Sequence, residues 1–188
     1  MTGTGLQVRT AQAADYQRIG DLTVAAYLHG EHMSPDNGYL QHLRQVADRS
    51  ERAQVLVAEV DGEVAASVTV TDYDGAYAEV ARPSEMEFRM LAVAPEYQGR
   101  GIARHLVRHI LAQAEARPEV TAVTLCSLRS MTGAHALYRS EGFREDPSRD
   151  FVLMTPTTCA RFPFFARKIR KTAPETRLRP PRRDVNSR

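Results

Sequence analysis

The sequence predicts a single mixed α/β domain, and three observations carry that prediction. The first is the Asp61-Gly62 turn between two β-branched runs, Gln54–Val60 and Glu63–Thr71, which reads as a hairpin because glycine tolerates positive φ. The second is a strand, Glu87–Val93, that runs through a two-glycine loop into a helix, Ile102–Ala116, where Ile102, Leu106 and Ile110 recur every four residues. The third is size and composition. The chain has 188 residues, 43% hydrophobic and 26% charged, enough for one domain with a real core and unlike a wholly disordered chain.

The remaining elements follow in order. Leu6–Thr10 alternates like a short strand, and Ala13–Leu28 has Ile19, Leu22, Val24 and Ala26 near helical spacing. His29–Gly38, with Gly30, Pro35 and Gly38, reads as a loop. Tyr39–Arg49 reads as one helix with Leu40, Leu43, Val46 and Ala47 turned inward. Asp72–Ser84 is polar and holds Gly75 and Pro83, so it is a loop. Pro118 stops the long helix, Ala122–Ser127 is a strand, and Gly142 ends a last helix over Met131–Glu141. Short extended segments are expected at Phe143–Asp146 and Arg161–Ile169.

Charge is uneven. The formal net charge is +2, yet residues 168–188 carry eight Lys/Arg against two acids, which leaves −4 for residues 1–167. With Pro174, Pro180 and Pro181 and few apolar residues, 170–188 is expected to be a mostly disordered, solvated basic extension to a domain spanning 1–169. Basic side chains are not interleaved with aromatics, so nucleic acid is not the expected partner. Residues 1–9 lack a signal-like apolar stretch, and no run approaches the ~20 apolar residues of a membrane helix. The expectation is a cytoplasmic protein with no membrane span. Cys126 and Cys159 form neither a disulfide framework nor a metal spacing. His105 and His109 are four apart, but Leu106 stands where a zinc-protease helix carries glutamate, so no metal is expected.

The informative stretch is Met90-Leu-Ala-Val-Ala-Pro-Glu-Tyr-Gln-Gly-Arg-Gly-Ile-Ala103. At a helix start the first amide N–H groups lack internal partners and the dipole is positive, so an anion binds there. Gly99 and Gly101 let the main chain approach a pyrophosphate, and Arg100 adds a forked cation. Arg104 stands where a dinucleotide G-x-G-x-x-G loop needs glycine or alanine, and the Gly-Lys-Ser/Thr of a Walker loop is absent. Gln98-x-x-Gly101-x-Ala103 resembles the Q/R-x-x-G-x-G/A signature of the GNAT acetyltransferases. Ala134-x-x-Leu137-Tyr138-x-x-x-Gly142-Phe143 is similar to that family's fourth-helix pattern.

The resemblance implies a central, mostly antiparallel sheet with one splayed parallel pair, flanked by about four helices. It implies acetyl-coenzyme A as co-substrate. The pantetheine would lie between the strand before the loop and strand 122–127, held by main-chain groups of Leu91, Ala92 and Val93. Amides of Gln98, Gly99, Arg100, Gly101, Ile102 and Ala103 would hold the pyrophosphate. Tyr138 would be the acid that protonates the departing thiolate, since a phenol of pKa about 10 is protonated at neutral pH. Many members carry asparagine seven residues before that tyrosine; this chain has Met131. Glu87, eleven residues before Gln98, matches the position from which some members take the amine's proton through water. Glu85 is its rival on the same strand.

The implied function is N-acetyl transfer to a primary amine by direct attack in a ternary complex. The partner is a small-molecule or peptide amine, and a homodimer stays open. The family places acceptors between the first helix-to-helix connection and the last strands. Here these are Tyr27, His29, Glu31, His32, Asp36 and Tyr39, facing Asp146–Phe165, an acidic and aromatic rim suited to a cation. The alternatives are a non-catalytic acyl-coenzyme A binder of the same fold, and a nucleic-acid or membrane module that uses the tail.

Overall fold

The computed structural model describes residues 5–154 and 159–170. Apart from Arg170, the predicted basic tail lies outside the described residues. In chain order the elements are β1 (Leu6–Thr10), α1 (Tyr16–His29), α2 (Tyr39–Arg44), α3 (Val46–Arg52), β2 (Gln54–Val60), β3 (Glu63–Asp72) and β4 (Glu85–Val93). Then come α4 (Ile102–Ala116), β5 (Ala122–Cys126), α5 (Thr132–Ser140), β6 (Arg144–Glu145), β7 (Phe151–Met154), β8 (Cys159–Phe162) and β9 (Phe164–Lys168). Seven strands form one sheet in the order β1-β2-β3-β4-β5-β9-β6, and β7 pairs with β8 in a separate two-stranded sheet. All pairings are antiparallel except β4 with β5. The expected mixed sheet with one parallel pair is therefore present.

Helices cover both faces, which explains why β2 reads as a continuous apolar run. Its Leu56, Ala58 and Val60 join the core under α4, whose Ile102, Leu106 and Ile110 stripe packs there with Val68, Val123 and Phe165. Val55 and Val57 point the other way, toward Ile19 and Leu22 of α1. No helix of the described residues is long and apolar enough to cross a membrane.

Three local predictions need correction. The helix expected over 39–49 breaks at Gln45, where φ is −77° and ψ is 58°. The break re-aims the second half, so Ala47 is exposed and Arg49, only 1% exposed, is turned inward instead. Five α-helices are present among the described residues, in keeping with the expected flanking set of about four. The final extended region is richer than read from the sequence, because Phe151–Met154 forms a strand paired with Cys159–Phe162.

The most consequential departure is inside β4. Met90 has φ +53°, and the register against β3 slips between Ser67↔Ala92 and Thr69↔Arg89, so Val68 faces a two-residue bulge. The bulge inverts the alternation of the strand. Met86 and Phe88 face the α4 core, but Met90 and Ala92 join the clusters on the α1 side, and Leu91 and Val93 take over the α4 side. Arg49 sits behind the bulge: its Nη1 lies 2.8 Å from Met90 Sδ and donates to the Leu43 carbonyl at 3.4 Å.

Candidate active site

The β4–β5 ladder is short. It pairs Glu85 with Ala122, Met86 with Val123 and Glu87 with Thr124, and then ends although β4 runs on to Val93. Past that point the strands part, and a cavity of about 440 Å³ opens between them, lined from β4 by Phe88 through Leu91 and from the other side by Leu125 through Leu128. The bulge lies inside this stretch, so the β5-facing main chain from Phe88 onward has no strand partner on that side. A larger hollow of about 510 Å³ lies at the other end of the sheet near Arg52, Thr71 and Arg117. It is bridged by an Arg117–Asp72 ion pair and lies away from the glycine loop.

From β4 the chain enters a 3₁₀ turn, Pro95–Tyr97, and then the glycine loop. Gly99 has φ +73° and Gly101, the N-cap of α4, has φ +78° and ψ 5°, conformations in which an L side chain is strained. A Cβ built on either would meet nothing within 4 Å, so the packing of the protein itself does not demand these glycines. The amides of Gly99, Arg100, Gly101, Ile102 and Ala103 have no main-chain partner among the described residues, whereas that of Gln98 is spent on the Pro95 carbonyl at 3.2 Å. The Gln98 side chain closes the loop back onto β4 by donating from Nε2 to the Val93 carbonyl, also 3.2 Å. Of the predicted phosphate donors, five amides are thus open and that of Gln98 is engaged. Arg100 is exposed, with its guanidinium 5.2 Å from the Tyr97 ring centroid. Open space, unpaired N–H groups and a helix N-terminus suit a diphosphate.

Tyr138 of α5 lines the cavity. Its ring is wedged among Phe88, Phe165 and Phe143, with centroids 5.8, 5.6 and 6.0 Å away. Burial pushes its hydroxyl pKa well above that of an ordinary phenol, so the group is protonated across the physiological range. Met131 also lines the cavity, near the β5 side.

The carboxylates separate into three environments. Glu85 is bonded to Arg149 at 2.7 and 2.8 Å and to the Arg82 amide at 2.8 Å. Burial alone would raise its pKa, but these partners carry it below the usual range. Glu87 is fully buried. Its Oε2 accepts from the amides of Glu79, Val80 and Ala81, each at 2.9 Å. Its Oε1 has no hydrogen-bond partner among the described residues and lies 3.8 Å from Arg89 Nε. Glu87 therefore sits behind the cavity wall and pins the loop before β4. That loop presents Glu79, which does line the cavity and pairs with Arg89 Nη2 at 3.0 Å. Burial raises the pKa of Glu79 despite the arginine. Nothing in the pattern of a polar loop singles out Glu79; the three-amide cradle around Glu87 explains its placement.

Cys126 also lines the cavity, and burial pushes its thiol up to about 12, so it holds its proton at neutral pH. His135 is buried against Phe165, with centroids 5.0 Å apart, and its role is packing. Of the expected acceptor rim, Tyr27, His32 and Tyr39 reach the cavity, joined by Met33 and Asn37. His29, Glu31 and Asp36 are exposed outside it. His32 Nδ1 lies 2.9 Å from Ser130 Oγ and links the two loops over the cavity.

Residues 16–143 match the Acetyltransferase (GNAT) family profile. The chain belongs to the GNAT acetyltransferase family. Acetyl transfer is thus its chemistry at the level of the family, and the fold agrees. Its structure is similar to the ribosomal-protein-S18-alanine N-acetyltransferase of Escherichia coli, at 21% identity and TM-score 0.64 over 92% of this chain and 98% of that one. It is also similar to YncA of Salmonella typhimurium, a putative acetyltransferase solved with acetyl-CoA, at 20% identity and TM-score 0.65 over 90% and 97% of the two chains. A third similar structure is the PaiA N-acetyltransferase of Thermoplasma acidophilum in complex with coenzyme A, at 12% identity and TM-score 0.66 over 87% and 99%. A search of curated sequences finds no match.

Proposed function

We propose that this chain is an acetyl-coenzyme A-dependent N-acetyltransferase that acetylates a primary amine by direct attack. The observation that carries this reading is one strand-to-helix passage that holds both parts in order: β4 parts from β5 at the cavity that Tyr138 lines, and then leads into the glycine loop with its open amides. The residues fit the co-substrate. Amides 99–103 would take the pyrophosphate, and main-chain groups of Leu91, Ala92 and Val93 the pantetheine, although the Val93 carbonyl already accepts from Gln98. When bound there, the thioester supplies an activated acetyl carbonyl.

The protein's own groups then do three things. Main-chain N–H groups of β4 beyond Glu87, where no β5 residue is paired, stabilise charge developing on the carbonyl oxygen. Tyr138, kept protonated, donates to the sulfur as it departs. The amine must lose its proton, which costs about 4.6 kcal/mol at pH 7 for a lysine-like group. Glu87, whose Oε1 is unclaimed, takes that proton through water, since its side chain does not itself line the cavity. Juxtaposition of the two reactants remains the largest contribution, about 7–11 kcal/mol against the 10²–10⁴-fold of an acid or base.

Two outcomes follow. A screen of free coenzyme A thiol across a broad amine panel should show acceptor-dependent release; saturable acetyl-coenzyme A binding with no release for any amine would instead indicate a non-catalytic binder. Cys126→Ala should keep turnover within about tenfold of wild type, because a thiol that holds its proton is no nucleophile. Loss of turnover in a folded Cys126→Ala protein, or a trapped acetyl-cysteine in the wild type, would argue for a covalent route.

A further inference from the structure

The acceptor half of the cavity has a composition that selects among amines. Glu79 is the only acid and Arg89 the only arginine among its described lining residues. Arg89 is already committed: Nη2 to Glu79 at 3.0 Å, Nη1 to the Tyr77 carbonyl at 3.0 Å, and Nε facing Glu87 at 3.8 Å. Glu87 lies behind the wall, so at the cavity surface this corner is one Glu79–Arg89 ion pair, in which Glu79 is the sole anionic group among the described lining residues. Arg49, the other nearby cation, is buried behind Met90 and does not line the cavity. His32 does line it, and burial lowers its pKa, so it adds no competing charge at neutral pH.

The same cavity takes Phe151, Leu153 and Phe162 from β7 and β8, and Met33 from the α1–α2 loop. These are apolar and aromatic surfaces, with rings of Phe151 and Phe162 5.6 Å apart. The volume, about 440 Å³, must also hold the thioester end of the co-substrate, and it lies low in the ~300–1,000 Å³ range of ligand pockets.

We infer that Glu79 anchors the ammonium of the acceptor, and that this acceptor is a small, singly charged primary amine with an aromatic or alkyl body seated against the β7–β8 hairpin. The inference rests on the acetyltransferase reading and narrows it. A polyamine would bring a second ammonium with no second acid to meet it. A peptide would bring several amide groups against Phe151, Leu153, Phe162 and Met33, whose side chains cannot hydrogen-bond them. A neutral body on a single cation satisfies both surfaces.

The test is steady-state thiol release by the full chain at saturating acetyl-coenzyme A, with 2-phenylethylamine, hexylamine, spermidine and a short peptide with a free N-terminal alanine. The two apolar amines should exceed the other two in kcat/KM by at least about tenfold. Glu79→Gln should raise KM for 2-phenylethylamine by about ten- to a hundredfold, the loss of one charged hydrogen bond, with kcat much less affected and acetyl-coenzyme A affinity unchanged. Should E79Q lose its thermal transition, the wild-type ranking alone decides. Preference for spermidine or the peptide, or an unchanged KM in folded E79Q, would overturn the inference while leaving acetyl transfer intact. Acetyl-coenzyme A binding with no turnover of any of the four would also overturn it. No affinity for acetyl-coenzyme A would remove the acetyltransferase reading along with it.

Discussion

Gly101→Leu should weaken acetyl-coenzyme A binding by at least about a hundredfold while costing the fold only about 1–2 kcal/mol. The two effects separate because of where the side chain would go. At φ +78° any L residue is strained, which sets the stability cost. The Cβ would otherwise meet no protein atom within 4 Å, so no repacking adds to it. The space it enters is the open face of amides 99–103, where the diphosphate is proposed to lie. A side chain there displaces several charged hydrogen bonds together, each worth about 1.5–3 kcal/mol. Gly62→Leu is the matched control: Gly62 has φ +87° and equally open surroundings, but sits in the β2–β3 hairpin turn. It should show a similar loss of stability and normal binding by calorimetry. Equal binding loss in both variants would mean that the effect is global, and intact binding in a folded Gly101→Leu protein would remove the loop from the site.

Tyr138→Phe should lower kcat by about a hundredfold or more and leave acetyl-coenzyme A affinity and stability nearly unchanged. The ring keeps its contacts with Phe88, Phe143 and Phe165, so packing predicts almost nothing for the loss of one oxygen. The packing explanation of Tyr138 and the acid explanation therefore diverge on a single substitution. Tyr27→Phe is the comparison, since Tyr27 also lines the cavity with a hydroxyl whose pKa burial raises. It should change KM for the amine more than kcat. The raised pKa of Tyr138 has its own consequence: the acid stays protonated as pH climbs past the ordinary phenol value, so kcat should show no descending limb from this group below about pH 10. Normal kcat in Tyr138→Phe at saturating substrates would assign proton delivery elsewhere, to solvent or to Tyr27.

What could be read from the sequence were features fixed by neighbours in the chain. The Asp61-Gly62 hairpin, the α4 stripe and the strand–glycine–helix passage all depend on local spacing, and they stand where expected. What could not be read depends on contacts between distant segments. The β4 bulge carries no glycine to announce it; Met90 holds φ +53° with its sulfur against Arg49 from α3. Arg49 itself looks like a surface residue of a polar helix until the break at Gln45 turns it inward. Glu87 was singled out by its spacing from Gln98, but spacing does not reveal that three amides from a loop eight residues back would claim one of its oxygens. For the same reason Glu79, an undistinguished loop residue in sequence, is the carboxylate that meets the cavity. The β7–β8 hairpin escaped notice because Val152, Leu153 and Met154 are all exposed, so the alternation that marks a half-buried strand is missing.

Amide hydrogen exchange with and without acetyl-coenzyme A reaches the central claim most directly, because that claim concerns main-chain N–H groups. Saturating acetyl-coenzyme A should slow exchange across 88–104, most at 99–103, and leave the turn around Gly62 unaltered. Unchanged exchange in 88–104 at concentrations that saturate the protein would contradict the proposal that this strand and loop hold the co-substrate.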